Sequence, residues 1–300
     1  MIDLKTVSKP MEAMGAELET LAAPAARVSS GSQGSASGDL SRASRSLIVS
    51  GIGDPIVRPM TAGGLESLIG ADDRTRILET DLYPWRMICA LRMVSPEGNS
   101  AIGTGWLAGP KTVVTAGHCV HHLPFLGGWA SRIEVSAGRN DSEFPFGTVV
   151  STRFSSVDRW ISNADPDFDI GCIHLEEPLG DQVGWFSFAS WSSSQLREQM
   201  VNISGYPGDR GNGREQYFHA NRVLDATPRR VFYDVDTFGG QSGAPVWAYE
   251  AEGGPPTVIG IHAYGTGGTP FDLGITANSA PRIIPEVFDI IQGWIDEDAS

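Results

Sequence analysis

Thr237-Phe-Gly-Gly-Gln-Ser-Gly-Ala-Pro-Val-Trp247 is the stretch on which the reading of this chain turns. Ser242 stands between Gly240 and Gly243, which tolerate backbone angles other residues resist, and just ahead of an apolar run that reads as a strand. Such a context holds a hydroxyl on a tight turn. Working outward, two upstream pieces place a polar residue at the end of an apolar strand. Thr115-Ala-Gly-His-Cys119 follows Thr112-Val-Val-Thr115 and offers His118, and Asp169-Ile-Gly-Cys-Ile-His-Leu175 opens with Asp169. Asp165 and Asp167 are neighbouring carboxylates that can equally cap a turn. Asp169 is favoured because Ile170, Cys172, Ile173 and Leu175 continue from it as a buried strand.

A serine hydroxyl is a poor nucleophile at neutral pH. It needs a base within hydrogen-bond reach, and the base needs a carboxylate that fixes its tautomer. His118, Asp169 and Ser242 supply these three groups in the order His, Asp, Ser, one of the known orders of the serine hydrolase triad. The N–H groups of Gly240 and Ser242 can then face a developing oxyanion.

The rest of the chain fits a β scaffold. Among 300 residues, 36 glycines and 19 prolines are spread through short apolar runs, which favours strands over long helices. The sequence predicts strands over residues 85–94, 103–107, 112–115, 133–137, 148–154 and 170–175. A second set is predicted over 200–206, 216–223, 230–234, 244–248 and 258–263, and this regular spacing points to barrels or sandwiches. The chain closes with a helix from Pro285, where Ile284, Val287, Phe288, Ile291, Trp294 and Ile295 line one face. Asp296-Glu-Asp298 reads as a solvated acidic end that opposes the helix dipole and frays.

Residues 1–66 read differently. A weakly helical start, Met11 to Val28, leads into the flexible composition of Ser29-Ser-Gly-Ser-Gln-Gly-Ser-Ala-Ser-Gly38, followed by a short apolar piece at Leu47 to Val57. None of it belongs to the triad pattern, and it reads as a disordered tail or a prosegment. The net charge of −14 argues against nucleic acid and anionic membrane surfaces as partners. No apolar run reaches the roughly 18 residues of a membrane span. Met1-Ile-Asp-Leu-Lys-Thr6 also lacks the apolar core of a secretory signal. The three cysteines, Cys89, Cys119 and Cys172, allow one disulfide plus a free thiol, or three buried thiols. His121 and His122 lack further ligands at metal-site spacing and read as loop residues. His174 reads as packing or surface, and His219 has no evident role.

On these motifs the chain resembles the bacterial glutamyl endopeptidases of the chymotrypsin-like serine protease clan. The matching stretches are Ser67-Leu-Ile-Gly-Ala-Asp-Asp-Arg-Thr-Arg-Ile77, Gly105-Trp-Leu-Ala-Gly-Pro-Lys-Thr-Val-Val-Thr-Ala-Gly-His-Cys119, Gly205-Tyr-Pro-Gly-Asp209, Asp236-Thr-Phe-Gly-Gly-Gln-Ser-Gly-Ala-Pro245 and Ile259-Gly-Ile-His262. The resemblance implies an all-β fold: two six-stranded antiparallel β-barrels of the trypsin/chymotrypsin type, with a C-terminal helix. Residues 67–183 would form the first barrel and carry His118 and Asp169. Residues 184–300 would form the second and carry Ser242, and residues 1–66 would be a prosegment.

The same resemblance implies a serine endopeptidase acting as a monomer on polypeptides, secreted, made as a zymogen, and using no cofactor or metal. Thr237 and His262 would bind the glutamate side chain of the substrate, and the backbone of Ala263, Tyr264 and Gly265 the extended peptide. A mature amino terminus at Ser67 would add its positive charge beside that pocket. Glu66 precedes it, so the enzyme could cut its own Glu66–Ser67 bond. The family's disulfide to the cysteine after the histidine has no counterpart in Ser100-Ala-Ile-Gly-Thr104. Two rival readings are a chymotrypsin-like protease of other specificity, with His262 structural, and a catalytically silent peptide-binding homologue.

Overall fold

The computed structural model describes residues 2–10, 58–59, 67–197, 199–250 and 254–300. The expected helical start, the glycine- and serine-rich linker, the apolar piece before residue 58 and Glu66 all lie outside the described residues.

The first sheet contains β1 (Thr6–Ser8), β2 (Ile88–Val94), β3 (Ser100–Leu107), β4 (Thr112–Thr115), β5 (Arg132–Ala137), β6 (Val149–Ser151), β7 (Arg153–Val157) and β8 (Gly171–His174). Their order is β1-β7-β8-β4-β3-β2-β5-β6, and Arg58–Pro59 adds in parallel to Ala101 and Ile102 of β3. β6 and β7 are adjacent in sequence yet pair with opposite ends of this array, so the chain bends at Thr152 and rolls the sheet into a barrel. The Ser151 hydroxyl holds the bend, donating to the His174 carbonyl at 2.6 Å and accepting from the Arg153 N–H at 3.1 Å. Alternation explains β5: Ile133, Val135 and Ala137 point inward, while Glu134 points out and accepts from Arg92 across the strands at 2.8 Å.

The second sheet contains β9 (Met200–Gly205), β10 (Tyr217–Ala226), β11 (Arg230–Tyr233), β12 (Pro245–Tyr249), β13 (Pro256–Ile261) and β14 (Asn278–Pro281). It runs β13-β12-β9-β10-β11-β14, flanked by the short pairs Ser187–Phe188 on β13 and Thr75–Arg76 on β10. Bridges between Gly260 and Arg282, and between Tyr264 and Ser279, join its two ends. The all-β architecture with two rolled sheets and a C-terminal helix is therefore as the sequence implies. Each barrel has six principal strands, counting β6 and β7 as one bent strand and setting aside the three-residue β1. The short pairs are additions that period-2 patterning is too brief to reveal.

Two details depart from the sequence reading. The segment expected as a strand from Trp85 begins with a 3-10 turn over Trp85–Met87, and the strand starts at Ile88. The C-terminal helix Pro285–Ala299 buries Val287, Ile291 and Trp294 as expected, but its acidic end does not dissolve into solvent. The Asp298 side chain is 3 % exposed and accepts from the Thr112 hydroxyl at 2.6 Å, with His174 Nδ1 at 2.8 Å. A local dipole argument missed it because the compensating partners come from β4 and β8, far away in sequence.

Candidate active site

His118 sits in a short helix, Gly117–Val120, that starts directly after the buried strand β4. Gly117 is required there: a Cβ would come within 2.7 Å of the Trp160 ring and 2.9 Å of the Ile170 nitrogen. That close approach brings the helix against the residue following Asp169. Asp169 itself leaves a 3-10 turn, Pro166–Phe168, that Asp165 caps by accepting from the Asp167 N–H at 3.1 Å.

The three candidate carboxylates are thereby sorted. Asp165 pairs with Arg159 at 3.0 Å and Asp167 with Arg229 at 3.6 Å, both away from the histidine. Asp169 accepts from the His118 backbone N–H through Oδ1 at 2.8 Å, and its Oδ2 lies 2.8 Å from His118 Nδ1. The Tyr264 hydroxyl donates a further bond to Oδ2 at 2.8 Å. Burial opposes the charged imidazolium of His118, yet the Asp169 carboxylate and Cys119 outweigh it and hold the ring well above its ordinary pKa. His118 Nε2 is buried and has no hydrogen-bond partner among the described residues.

Ser242 reaches the same place from the second barrel. Gly240 has φ +109° and Gly243 φ +89°, in the region that favours glycine. A Cβ on Gly243 would lie 2.1 Å from both the Thr104 carbonyl and the Thr115 hydroxyl, so this turn is pressed against β3 and β4. The Ser242 carbonyl accepts from the Thr104 N–H at 2.8 Å and from Cys119 Sγ at 3.7 Å. The turn carrying Ser242 thus abuts the helix carrying His118. Cys89, Cys119 and Cys172 are all free and buried, which selects the three-thiol option.

Beside the turn stand two buried polar residues, Thr237 and His262, the latter's carbonyl accepting from the Gly243 N–H at 2.6 Å. Thr237 Oγ1 is buried without a hydrogen-bond partner among the described residues. His262 hydrogen-bonds through Nδ1 to the Tyr233 hydroxyl at 2.6 Å. Burial, reinforced by the nearby His118, lowers its pKa to about 3 and keeps it neutral. Ser67 lies next to Thr237. Its N–H donates to Asn278 Oδ1 at 3.4 Å, its carbonyl accepts from Asn278 Nδ2 at 2.7 Å, and its hydroxyl accepts from Thr266 at 2.8 Å. The Thr237 N–H donates to the Ser67 carbonyl at 3.4 Å.

Ala263, Tyr264 and Gly265 follow directly on His262. The N–H and carbonyl of Tyr264 are both taken by Ser279, at 3.1 and 2.8 Å, so Tyr264 acts here through its side chain. The Ala263 N–H donates to the Ser279 carbonyl at 3.3 Å, and the Gly265 carbonyl accepts from the Gly268 N–H at 2.9 Å.

Four residues escaped sequence reading. Tyr233 and the Tyr264 hydroxyl depend on contacts across the barrel. Asn278 carries no local signal. Asp236 lay in view inside the serine stretch: it is 2 % exposed and accepts from the Ile69 N–H at 2.6 Å and the Asp73 N–H at 3.0 Å, fixing the segment after Ser67. Its own N–H donates to His219 Nδ1 at 2.8 Å, which gives that histidine a role.

Among the described residues, two groups of metal-ligating side chains come together: Cys172, His174 and Asp298, and Asp73, His219 and Asp236. In both, carboxylate and imidazole atoms are engaged by protein hydrogen bonds, and neither group contains a candidate catalytic residue. No helix among the described residues is long and apolar enough to cross a membrane.

Comparison with known proteins places this geometry. The trypsin family model matches residues 79–280. A glutamyl endopeptidase of Bacillus licheniformis is 39% identical over 235 residues, covering 77% of this chain and 69% of that protein. A Bacillus subtilis protein named extracellular metalloprotease is 37% identical, covering 77% and 70%. A solved structure of a Glu endopeptidase in complex with MPD superposes with TM-score 0.65 at 26% identity, covering 76% of this chain and 99% of that one.

Proposed function

The chain belongs to the glutamyl endopeptidases of the trypsin family and is a serine endopeptidase; from that premise we propose that it cuts peptide bonds after glutamate, and less well after aspartate. Ser242 Oγ attacks the scissile carbonyl while His118 Nε2 takes its proton. Asp169, steadied by the Tyr264 hydroxyl and the His118 N–H, holds the ring in the required tautomer. The N–H groups of Gly240 and Ser242 receive the oxyanion. The C–N bond breaks as His118 returns the proton to the leaving amine. Water, deprotonated by His118, then releases the acyl group and regenerates Ser242.

The observation that carries the glutamate preference is a pair of buried polar groups at the serine turn: a neutral His262 and an unpartnered Thr237 hydroxyl. A carboxylate needs donors. If Tyr233 donates its hydroxyl proton to Nδ1, the imidazole proton resides on Nε2 and is available to the substrate. Charge-assisted bonds of this kind are roughly twice as strong as neutral ones.

Ser67 adds the third element. Its carbonyl and hydroxyl are already held in the uncut chain, so cutting Glu66–Ser67 converts only its amide nitrogen into an ammonium. At about 4 Å and an effective dielectric of 20, such a charge is worth roughly 4 kcal/mol toward a carboxylate. This exceeds a hydrogen bond to a charged group at about 1.5–3 kcal/mol, so processing strengthens substrate binding more than either side chain does alone. Residues 1–66 then act as a prosegment, with 67–183 and 184–300 as the two barrel units, and the enzyme is secreted and works as a monomer.

The test is to incubate the purified protein with a denatured substrate and to sequence both the products and its own new terminus. Cuts after Glu and a terminus at Ser67 are expected. Cuts without acidic preference reject the pocket, and an active protein still beginning at residue 1 rejects the processing.

A further inference from the structure

The first residues of the chain are built into the first barrel. β1 pairs antiparallel with β7, in the register Thr6 to Val157, Val7 to Ser156 and Ser8 to Ser155. The Asp158 N–H donates to the Lys5 carbonyl and the Lys9 N–H to the Phe154 carbonyl, each at 2.9 Å. The two-residue period of an antiparallel ladder puts Val7 in the same bonded set.

Side chains deepen the seat. Lys9 is 6 % exposed, donates from Nζ to the Ser131 carbonyl at 2.9 Å, and lies 5.4 Å from the centre of the Phe154 ring. Lysine is almost never buried unless its ammonium is matched. The Trp294 indole N–H donates to the Thr6 hydroxyl at 2.7 Å and the Ile2 N–H to Glu286 at 3.0 Å, so the C-terminal helix grips the same segment. Ser8 and Ser155 share a hydroxyl bond at 2.8 Å, and Ser155 continues to His174 Nε2 at 2.9 Å.

We infer that residues 2–9 remain seated on the β7 edge after the chain is cut, so that the processed enzyme is a non-covalent complex of its body and its own N-terminal peptide. The occupant is this chain's own strand, and recognition is by strand addition to an open sheet edge. Its loss would expose the bonding edge of β7 and leave the buried Trp294 indole without its described acceptor. The biological consequence rests on the Glu66–Ser67 cut proposed above, but the seat itself is tested with a cut elsewhere.

A Ser242→Ala chain carrying a site for an unrelated protease within residues 29–38 is cut and passed through a sizing column in native buffer. The N-terminal fragment is expected to co-elute with the body and to separate only in denaturant. Elution as a free peptide beside a still-folded body, checked by circular dichroism, overturns the inference whatever the fate of Glu66. As a second measurement, a fluorescent peptide of residues 1–10 is exchanged into the cut complex and followed by anisotropy. Unlabelled peptide is expected to compete. A Val7→Pro peptide, lacking the ladder N–H, should do so at least tenfold more weakly. Equal competition by the two also overturns it.

Discussion

Two aspartate–histidine arrays build on histidines of the first barrel, and only one of them belongs to the candidate active site. In both, a carboxylate oxygen lies 2.8 Å from a histidine Nδ1: Asp169 with His118, and Asp298 with His174. Both are buried. They differ at Nε2. His174 Nε2 meets Ser155 Oγ at 2.9 Å, and Ser155 stands in the middle of β7 with its neighbours committed to the sheet. His118 Nε2 has no such partner among the described residues, and the facing serine sits on a glycine-flanked turn contributed by the other barrel. Under the proposed mechanism the reactive array adds to its Asp–His pair a serine on a glycine-flanked turn, donors for the oxyanion, and a junction where a peptide can enter.

Substitution of the two serines separates these roles most sharply. Ser242→Ala should lower turnover by roughly 10⁶-fold with little change in stability. Ser155→Ala should keep turnover within a few-fold. It leaves His174 Nε2 unsatisfied, so it should cost about 1–3 kcal/mol in a denaturant titration. Inactivation by the second substitution, in a folded protein, would erase the distinction drawn here.

The carboxylates come next. Asp169→Asn should lower kcat by roughly 10⁴-fold by permitting the wrong tautomer. The proposed mechanism requires neutral His118, so kcat/KM should fall as pH drops through a pKa above the ordinary 6.5. In Asp169→Asn that limb should move to lower pH. The same raised value adds stability that is fully present below pH 6.5 and lost as pH rises through the folded-state pKa. An acid limb unmoved by Asp169→Asn would remove Asp169 from its assigned place.

Specificity effects are smaller. His262→Ala should reduce the preference for Glu over a neutral residue by roughly 10- to 100-fold, the worth of one charged hydrogen bond at about 1.5–3 kcal/mol. Tyr233→Phe should give a loss of about fivefold, because only the tautomer bias goes. Both are read as kcat/KM ratios on paired peptides, and an unchanged ratio in His262→Ala refutes the pocket assignment.

Much of this was legible in the sequence because it is local. The glycine-flanked Ser242, the strand-end His118 and the strand-opening Asp169 each sit in a short pattern whose geometry follows from a few residues. What was not legible comes from distant pairing. Asp298 reads as solvated until β4 and β8 bring Thr112 and His174 against it. Tyr264 shows no link to Asp169 across 95 positions. Strands of two or three residues, such as β1, carry too few alternations to register a period.

The most direct test is labelling with a fluorophosphonate, followed by peptide mapping, since the reagent modifies only a serine activated by a base. A single adduct at Ser242, with Ser155 unmodified, is the expected result. Labelling at Ser155, or a native, processed protein that stays unlabelled, would contradict the assignment of these two arrays.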